Sequence, residues 1–443
     1  MFRALGFADL KRLSIDMSPA LSHTLYTAGQ TNLLELHQRP ALLVILILTY
    51  AGIAFGHVPG LKLDRSGIAL LGAIAAVSVG GVSIPDSILY INWPTILLLF
   101  GFFVISAQLQ LSGFYHKIAD HISVHLEHPA FFLFILMMVA GGLSAILNHD
   151  VVCLVFTPIV GAAVLGKRLN PCPYLIALAI SSNLGASATL IGSPQNMMIG
   201  ELAHLDFGRY VLWCAAPVGF AFVSAYAIIW MLSRKTIRQN AIELNSLPKF
   251  EPAFDRQHTL KGIVILIVVI ALFFTSLPKE VIVLTAAGVH LASPKYHTAD
   301  LLGLVEWPVL VLFMGLFVVT GAFSSGGYEA ALRTVADAGF DLKSPSQLAL
   351  TTVVLSNLIN NAAAVMLLLK VVPVSDPTAG YVLALANSFA GNLIIIGSVS
   401  NLIVIQQARR FGIDISFNQF ARLGIPVTIV TIAGLVGWVT LIS

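Results

Sequence analysis

Apolar residues run along this chain in blocks long enough to build membrane helices. Residues 40–57, 92–113, 210–232, 261–277 and 305–323 are almost uninterrupted, close to the roughly 17–25 residues that a helix uses to cross a bilayer. None of them alternates apolar and polar residues as the strands of an outer-membrane barrel do. The pattern predicts an all-α polytopic membrane protein. Two blocks break the rule. SNLGASATLIGSPQN at 182–196 and NSFAGNLIIIGSVSN at 387–401 carry Asn, Ser, Thr and Gln where a span should continue.

The second half repeats the first. NWPTILLLFGFFVISA at 92–107 matches EWPVLVLFMGLFVVTG at 306–321, each opening an apolar helix on Trp-Pro. A hydrophobic segment broken at its middle follows: AILNHDVVCLVFTPIV at 145–160, then NLINNAAAVMLLLKVV at 357–372. The interrupted stretches come next, and a final span closes each half at 210–232 and 420–442. Leading spans at 40–57 and 66–81, then at 261–277 and 280–293, complete each unit. The expected organisation is a tail or interfacial helix over 1–39, a first repeat over 40–235, a linker over 236–260 and a second repeat over 261–443.

Each unit contains three helices, a re-entrant hairpin, an interrupted helix and a last helix. That is an odd number of crossings, so the second unit enters from the opposite face. About ten transmembrane helices in two inverted-topology repeats follow, an arrangement common among secondary transporters. Fifteen of the 24 Lys and Arg then fall on one side, five on the other and four in the tail. The positive-inside rule makes the first side cytoplasmic. The linker 236–260 is expected in the cytoplasm and both termini outside, in a multi-pass cell (inner) membrane protein.

Composition narrows the classes further. The chain has 443 residues, 57% hydrophobic and only 10% charged, against about 25% charged in soluble domains. A net charge of +3 spread through loops reads as topology, not as a nucleic-acid footprint. Cys153, Cys172 and Cys214 are scattered and indicate neither a disulfide framework nor a zinc site. No nucleotide-binding glycine loop occurs. Energy must come from an ion gradient, H+ or Na+, or from a separate partner such as a cytoplasmic ATPase. No cofactor is implied, and the absence of HExxH and GxSxG disfavours an intramembrane enzyme.

Backbone groups freed at bilayer depth persist only where protein or a water-filled cavity satisfies them. Four such breaks occur, two hairpin tips and two interrupted helices. Gly185, Gly192 and Pro194 unwind the first interrupted helix, Gly391 and Gly397 the second. Helix ends at such breaks offer N–H groups to anions and carbonyls to cations. Polar groups clustered near the midplane, with no continuous polar stripe, disfavour a passive channel. Asp150 stands out, because no Lys or Arg lies between Lys117 and Lys167 to neutralise it. A carboxyl at bilayer depth costs about 2.5–3.5 kcal/mol or more, which marks a functional group. Proton or cation handling and capping of the hairpin's second arm are both open to it. His149 is a second candidate proton carrier. Lys370 is expected to snorkel to the outer interface.

NHDVVCLVFTPIV and SNLGASATLIGSPQNMMIG resemble the first hairpin and first interrupted helix of the ion transporter superfamily. ArsB-type arsenite exporters, NhaD-type antiporters and divalent anion/sodium symporters belong to that superfamily, and the ArsB-like permeases are nearest in motif. SNLINN and NSFAGNLIIIGSVSN are similar to the matching second-repeat elements. The resemblance covers about residues 40 to 443. It implies an elevator-type secondary transporter, usually a homodimer embedded in lipid, carrying a small inorganic or anionic solute between hairpin tips and broken helices. The tip positions are Asn148, Asp150, Asn360 and Asn361. The broken-helix positions are Asn183, Ser187, Thr189, Asn196, Asn387, Ser388, Asn392 and Asn401. The tips read Asn-His-Asp and Ile-Asn-Asn where sodium-coupled dicarboxylate carriers have Ser-Asn-Thr, which argues against a dicarboxylate. Export of arsenite or antimonite coupled to protons is the expected function; sodium/proton antiport and permeation of sulfate or a carboxylate are the alternatives.

Overall fold

The computed structural model describes residues 40–56, 60–237, 254–328, 341–372 and 376–442. The tail at 1–39 and the middle of the linker lie outside the described residues. Among those described the chain is helical, with no β-strand. The first half builds α1 (Pro40–Phe55), α2 (Arg65–Ser78), the short α3 (Ile84–Tyr90), α4 (Trp93–Leu111) and α5 (Phe114–Ser123). It continues through α6 (Pro129–Ile146), α7 (His149–Gly166), α8 (Cys172–Ala186), α9 (Pro194–Leu202) and α10 (Phe207–Ile237). In the second half come α11 (Arg256–Leu272), α12 (Lys279–Leu291), α13 (Thr298–Gly303) and α14 (Trp307–Ser325). After them come α15 (Pro345–Ile359), α16 (Asn361–Leu368), α17 (Pro377–Ala390), α18 (Val399–Arg410) and α19 (Phe417–Ile442).

Local chemistry sets these boundaries. Both Trp-Pro pairs open their helices, since proline lacks only an N–H that the first turn leaves unbonded. Asn92 caps α4 by accepting from the Thr95 N–H at 2.9 Å. Asp64 and Asp255 cap α2 and α11 in the same way. Among the described residues, six helices are at least 18 residues long and apolar enough to cross a membrane: α4, α6, α7, α10, α14 and α19. Two leading spans end before their apolar runs do: α2 has 14 residues and stops at Ser78, ahead of Gly80 and Gly81, and α12 has 13 and stops at Leu291.

Packing crosses between the halves in matched pairs. Helix α2 lies along α14, and its counterpart α12 lies along α4, while the closing helices α10 and α19 pack on each other. Around the polar breaks, α6 packs on α8 and α15 on α17. The first of these contacts needs glycine. A Cβ on Gly185 would stand 2.4 Å from the Cα of Gly141 and 2.1 Å from its carbonyl oxygen, so the two backbones touch. Apolar side chains left exposed, such as Leu48 on α1, Val223 on α10, Ile267 on α11 and Ile429 on α19, face outward where lipid would lie. One apolar core runs through both halves and encloses the breaks.

Candidate solute and ion site

The hairpin tips are built alike, in a register one residue away from the one their triads suggest. Asn148 joins α6 to α7, and its Oδ1 accepts from the Asp150 N–H at 2.8 Å. Asn360 joins α15 to α16, and its Oδ1 accepts from the Ala362 N–H at 2.9 Å. These caps pair Asn148 with Asn360, His149 with Asn361 and Asp150 with Ala362. Capping of the second arm therefore belongs to Asn148, which frees the Asp150 carboxylate for another partner. Asn360 holds φ 83° and ψ 148°, a region that glycine tolerates and other residues enter at a cost of about 1–3 kcal/mol.

The breaks repeat one hydrogen-bond ladder. Asn196 Nδ2 donates to the carbonyls of Ala186 (3.0 Å) and Thr189 (3.3 Å). Asn401 Nδ2 donates to those of Gly391 (2.7 Å) and Ile394 (3.2 Å). Ser193 caps α9 and Ser398 caps α18 with nearly identical backbone angles. Each asparagine thus reaches back from a restarting helix to carbonyls that the unwinding released, as buried backbone demands. The matching positions follow: Asn183 with Ser388, Ser187 with Asn392, Thr189 with Ile394.

Asn183 knits the halves together. Its Nδ2 donates to Oδ1 of Asn392 (3.0 Å) and of Asn401 (3.1 Å), and its Oδ1 accepts from Ser398 Oγ (3.0 Å). Thr189 Oγ1 donates to the Ala145 carbonyl at the end of α6. Ser187 Oγ turns back to the Leu184 carbonyl (2.6 Å), and Asn387 Oδ1 accepts from Ser356 (2.9 Å). Ser388 is buried and makes no side-chain hydrogen bond among the described residues. Other buried polar atoms also lack a partner: Asn148 Nδ2, Asn196 Oδ1, Asn361 Oδ1, Asn392 Nδ2, Ser144 Oγ and Ser182 Oγ. Buried polar groups are normally bonded, so this concentration suits a hydrogen-bonding guest.

Asp150 is 5% exposed, and its Oδ1 accepts from Ser400 Oγ at 2.5 Å. The His149 Nδ1–H donates to the Gly192 carbonyl (3.1 Å), which turns Nε2 toward Asp150 Oδ1 at 3.6 Å. No Lys or Arg among the described residues pairs with the carboxylate. Glu306, the half-buried N-cap of α14, lies within electrostatic reach of it. Ser400 and Glu306 carry no sequence signal of their own. Ser400 occupies the place of Gln195 in the other break, and Glu306 reads as the residue before a Trp-Pro helix start. The breaks also differ in access: Ile191 is 2% exposed and its counterpart Ile396 is 47% exposed.

Lys370 does not sit in this cluster. It stands beyond the end of α16 and lines a separate cavity.

Paired breaks and tips that converge on a buried polar cluster within an apolar helical bundle define a secondary transporter. The chain belongs to the CitMHS family, described as citrate transporters, whose model matches residues 42–390. An uncharacterised transporter of Mycobacterium tuberculosis (strain ATCC 25618 / H37Rv) is 27% identical over 88% of this chain and 96% of its own length. The silicon efflux transporter LSI3 of Oryza sativa subsp. japonica is 24% identical over 86% of this chain and 93% of its own. A Dictyostelium discoideum transporter named arsB is 22% identical over 88% and 89%. Among solved structures, the YdaH transporter of Alcanivorax borkumensis superposes with a TM-score of 0.55 over 91% of this chain and 98% of that one. Its 14% identity carries the fold alone.

Proposed function

We propose that this chain is a proton-coupled transporter that exports a small uncharged inorganic hydroxy acid, of the arsenite or silicic acid kind. The observation that carries the reading is the chemistry of the cluster: amide and hydroxyl groups surrounding one buried carboxyl, Asp150, with no Lys or Arg among the described residues beside it. Arsenite and silicic acid are neutral at physiological pH and present only O–H groups, which donate and accept as Asn and Ser do. A polycarboxylate such as citrate would bring several negative charges to a place that already holds one, a costly pairing in a dry site. The names of the rice and Dictyostelium relatives point toward the same solutes, while the family's description points toward citrate, so both belong in the assay.

In the proposed cycle Asp150 exchanges a proton with the far side while the solute occupies the unpartnered Asn and Ser atoms. Ser400 donates to the carboxylate while it is ionised. His149, anchored on the Gly192 carbonyl, holds the tip against the first break. The two hairpins act as re-entrant elements of inverted repeats, and the site moves as a body past α2, α4, α12 and α14. Purified protein in proteoliposomes with an imposed pH gradient tests this. Arsenite or silicic acid flux should follow the gradient, and Asp150→Asn should abolish the coupling while the protein stays folded. Gradient-driven citrate flux without metalloid flux, or unchanged coupling in Asp150→Asn, overturns the reading. Proton flux in exchange for Na+ alone would identify an antiporter instead.

A further inference from the structure

A cavity of about 350 Å3 lies away from the polar cluster, between elements of both halves. Its size falls at the lower end of small-molecule sites, which span about 300–1,000 Å3. One wall is α3 and the start of α4 (Leu89, Ile91, Asn92), a second is α14 (Phe317, Gly321), and the third is Leu202 of α9 with Leu369 and Lys370 after α16. The apolar side chains form most of this lining. No Asp or Glu among the described residues lines it.

Tyr90, Asn92, Thr320 and Lys370 supply the polar side chains at the cavity. The Lys370 side chain is half-buried, and its amine makes no hydrogen bond or ion pair among the described residues. An amine that snorkels to water needs no cavity wall; this one stands at the edge of an apolar space with three N–H groups uncommitted. Asn92 spends its Oδ1 on the Thr95 N–H, which leaves its amide N–H groups as the free end. Thr320, also on the wall, is already bonded: its hydroxyl donates to the Leu316 carbonyl and meets the Tyr50 hydroxyl at 3.2 Å. Uncommitted donors plus a cation on one edge, and hydrocarbon elsewhere, match a ligand with one anionic head and an apolar body.

We propose that this cavity binds an amphipathic monoanion, its carboxylate or phosphate head on Lys370 and Asn92 and its apolar body against Leu89, Leu202, Phe317 and Leu369. The site is separate from the Asp150 cluster. Its walls come from the elements that carry that cluster (α9, α16) and from those that pack around them (α3, α4, α14), so a bound anion bridges the two sets. If the site moves as a body in transport, occupancy slows the cycle.

Binding is measured directly, on the full-length protein in nanodiscs of neutral phosphatidylcholine, with three probes: decanoate, lyso-phosphatidylglycerol and 4-phenylbutyrate. Saturable binding of at least one probe is expected. Lys370→Gln should weaken it at least tenfold, Lys370→Arg should largely restore it, and Leu369→Trp should abolish it by filling the space. Asp150→Asn should leave it unchanged. Melting temperatures of the probe-free variants verify that each is folded. Binding of the two chain-bearing probes alone assigns the ligand to lipid, and binding of 4-phenylbutyrate alone assigns it to a soluble organic acid. No saturable binding of any probe, equal binding by folded Lys370→Gln, or loss of binding in Asp150→Asn overturns the proposal.

Discussion

Asn196 and Asn401 occupy the same place in the two breaks, yet their replacement by alanine should not cost the same. Asn401→Ala strands two buried groups, the Gly391 carbonyl and one amide N–H of Asn183; the Ile394 carbonyl still accepts from the Gly397 N–H at 3.0 Å. At about 1–3 kcal/mol for each buried group left unbonded, with some relief from relaxation, the loss is roughly 2–4 kcal/mol. Asn196→Ala strands the carbonyls of Ala186 and Thr189. Its own Oδ1 has no partner, so removing that oxygen relieves a buried acceptor and offsets part of the loss. The expected cost is about 1–3 kcal/mol. The difference of about 1–2 kcal/mol should separate the two thermal midpoints by about 1–2 °C, with Asn401→Ala the lower. Fluorescence-monitored melting of both purified variants in one detergent measures it. An Asn183→Ala, Asn401→Ala double variant should lose less than the sum of the singles, because they share a bond. If Asn196→Ala melts at or below Asn401→Ala, the bond to Asn183 does not set the two breaks apart.

Two further outcomes follow from the tip and the linker end. Asn360→Gly should be nearly neutral, because relief of its positive φ offsets the lost cap at Ala362, whereas Asn360→Ala keeps the strain, loses the cap and should cost about 2 kcal/mol in melting experiments. At the N-terminus of α11, the Lys295 amine and the His258 backbone N–H hold the Asp255 carboxyl down to about 2 from its ordinary value near 4. A depressed carboxyl stabilises the fold above its unfolded value and loses that contribution as pH falls through its folded one. Stability measured between pH 4 and pH 2 should therefore drop less steeply in Asp255→Asn than in the unmodified protein.

Much of the buried polar cluster was legible because membrane helices make polar residues conspicuous. Asn148, Asp150, Asn183, Asn196, Asn387 and Asn401 stood out as amide and acid groups inside apolar runs, and the structure gathers the tips and breaks that bear them. What those residues do there was less visible. Asn196 and Asn401 spend their amide nitrogens on backbone carbonyls of the unwound segments, a role that depends on how the chain doubles back. The tip register was hidden because Asn-His-Asp and Ile-Asn-Asn can be aligned in two ways; only the side-chain caps pair Asp150 with Ala362. Ser400 was invisible among the other serines because its partner is 250 positions away. Glu306 is brought near Asp150 by packing between halves that no local pattern encodes.

The pairing of Asp150 with Ala362 bears on energetics. Of two equivalent hairpin tips, one carries an acid and the other a methyl group, so the tips offer a single carboxyl per chain. Under the proposed exchange of an uncharged solute for one proton, each cycle would move one positive charge inward, and transport would be electrogenic. A potential of 100 mV is worth about 2.3 kcal/mol per charge, or roughly fifty-fold in solute ratio, and each pH unit adds about tenfold. In that cycle one acid would set the ceiling on the gradient the pump can hold, and would make it answer to voltage as much as to pH.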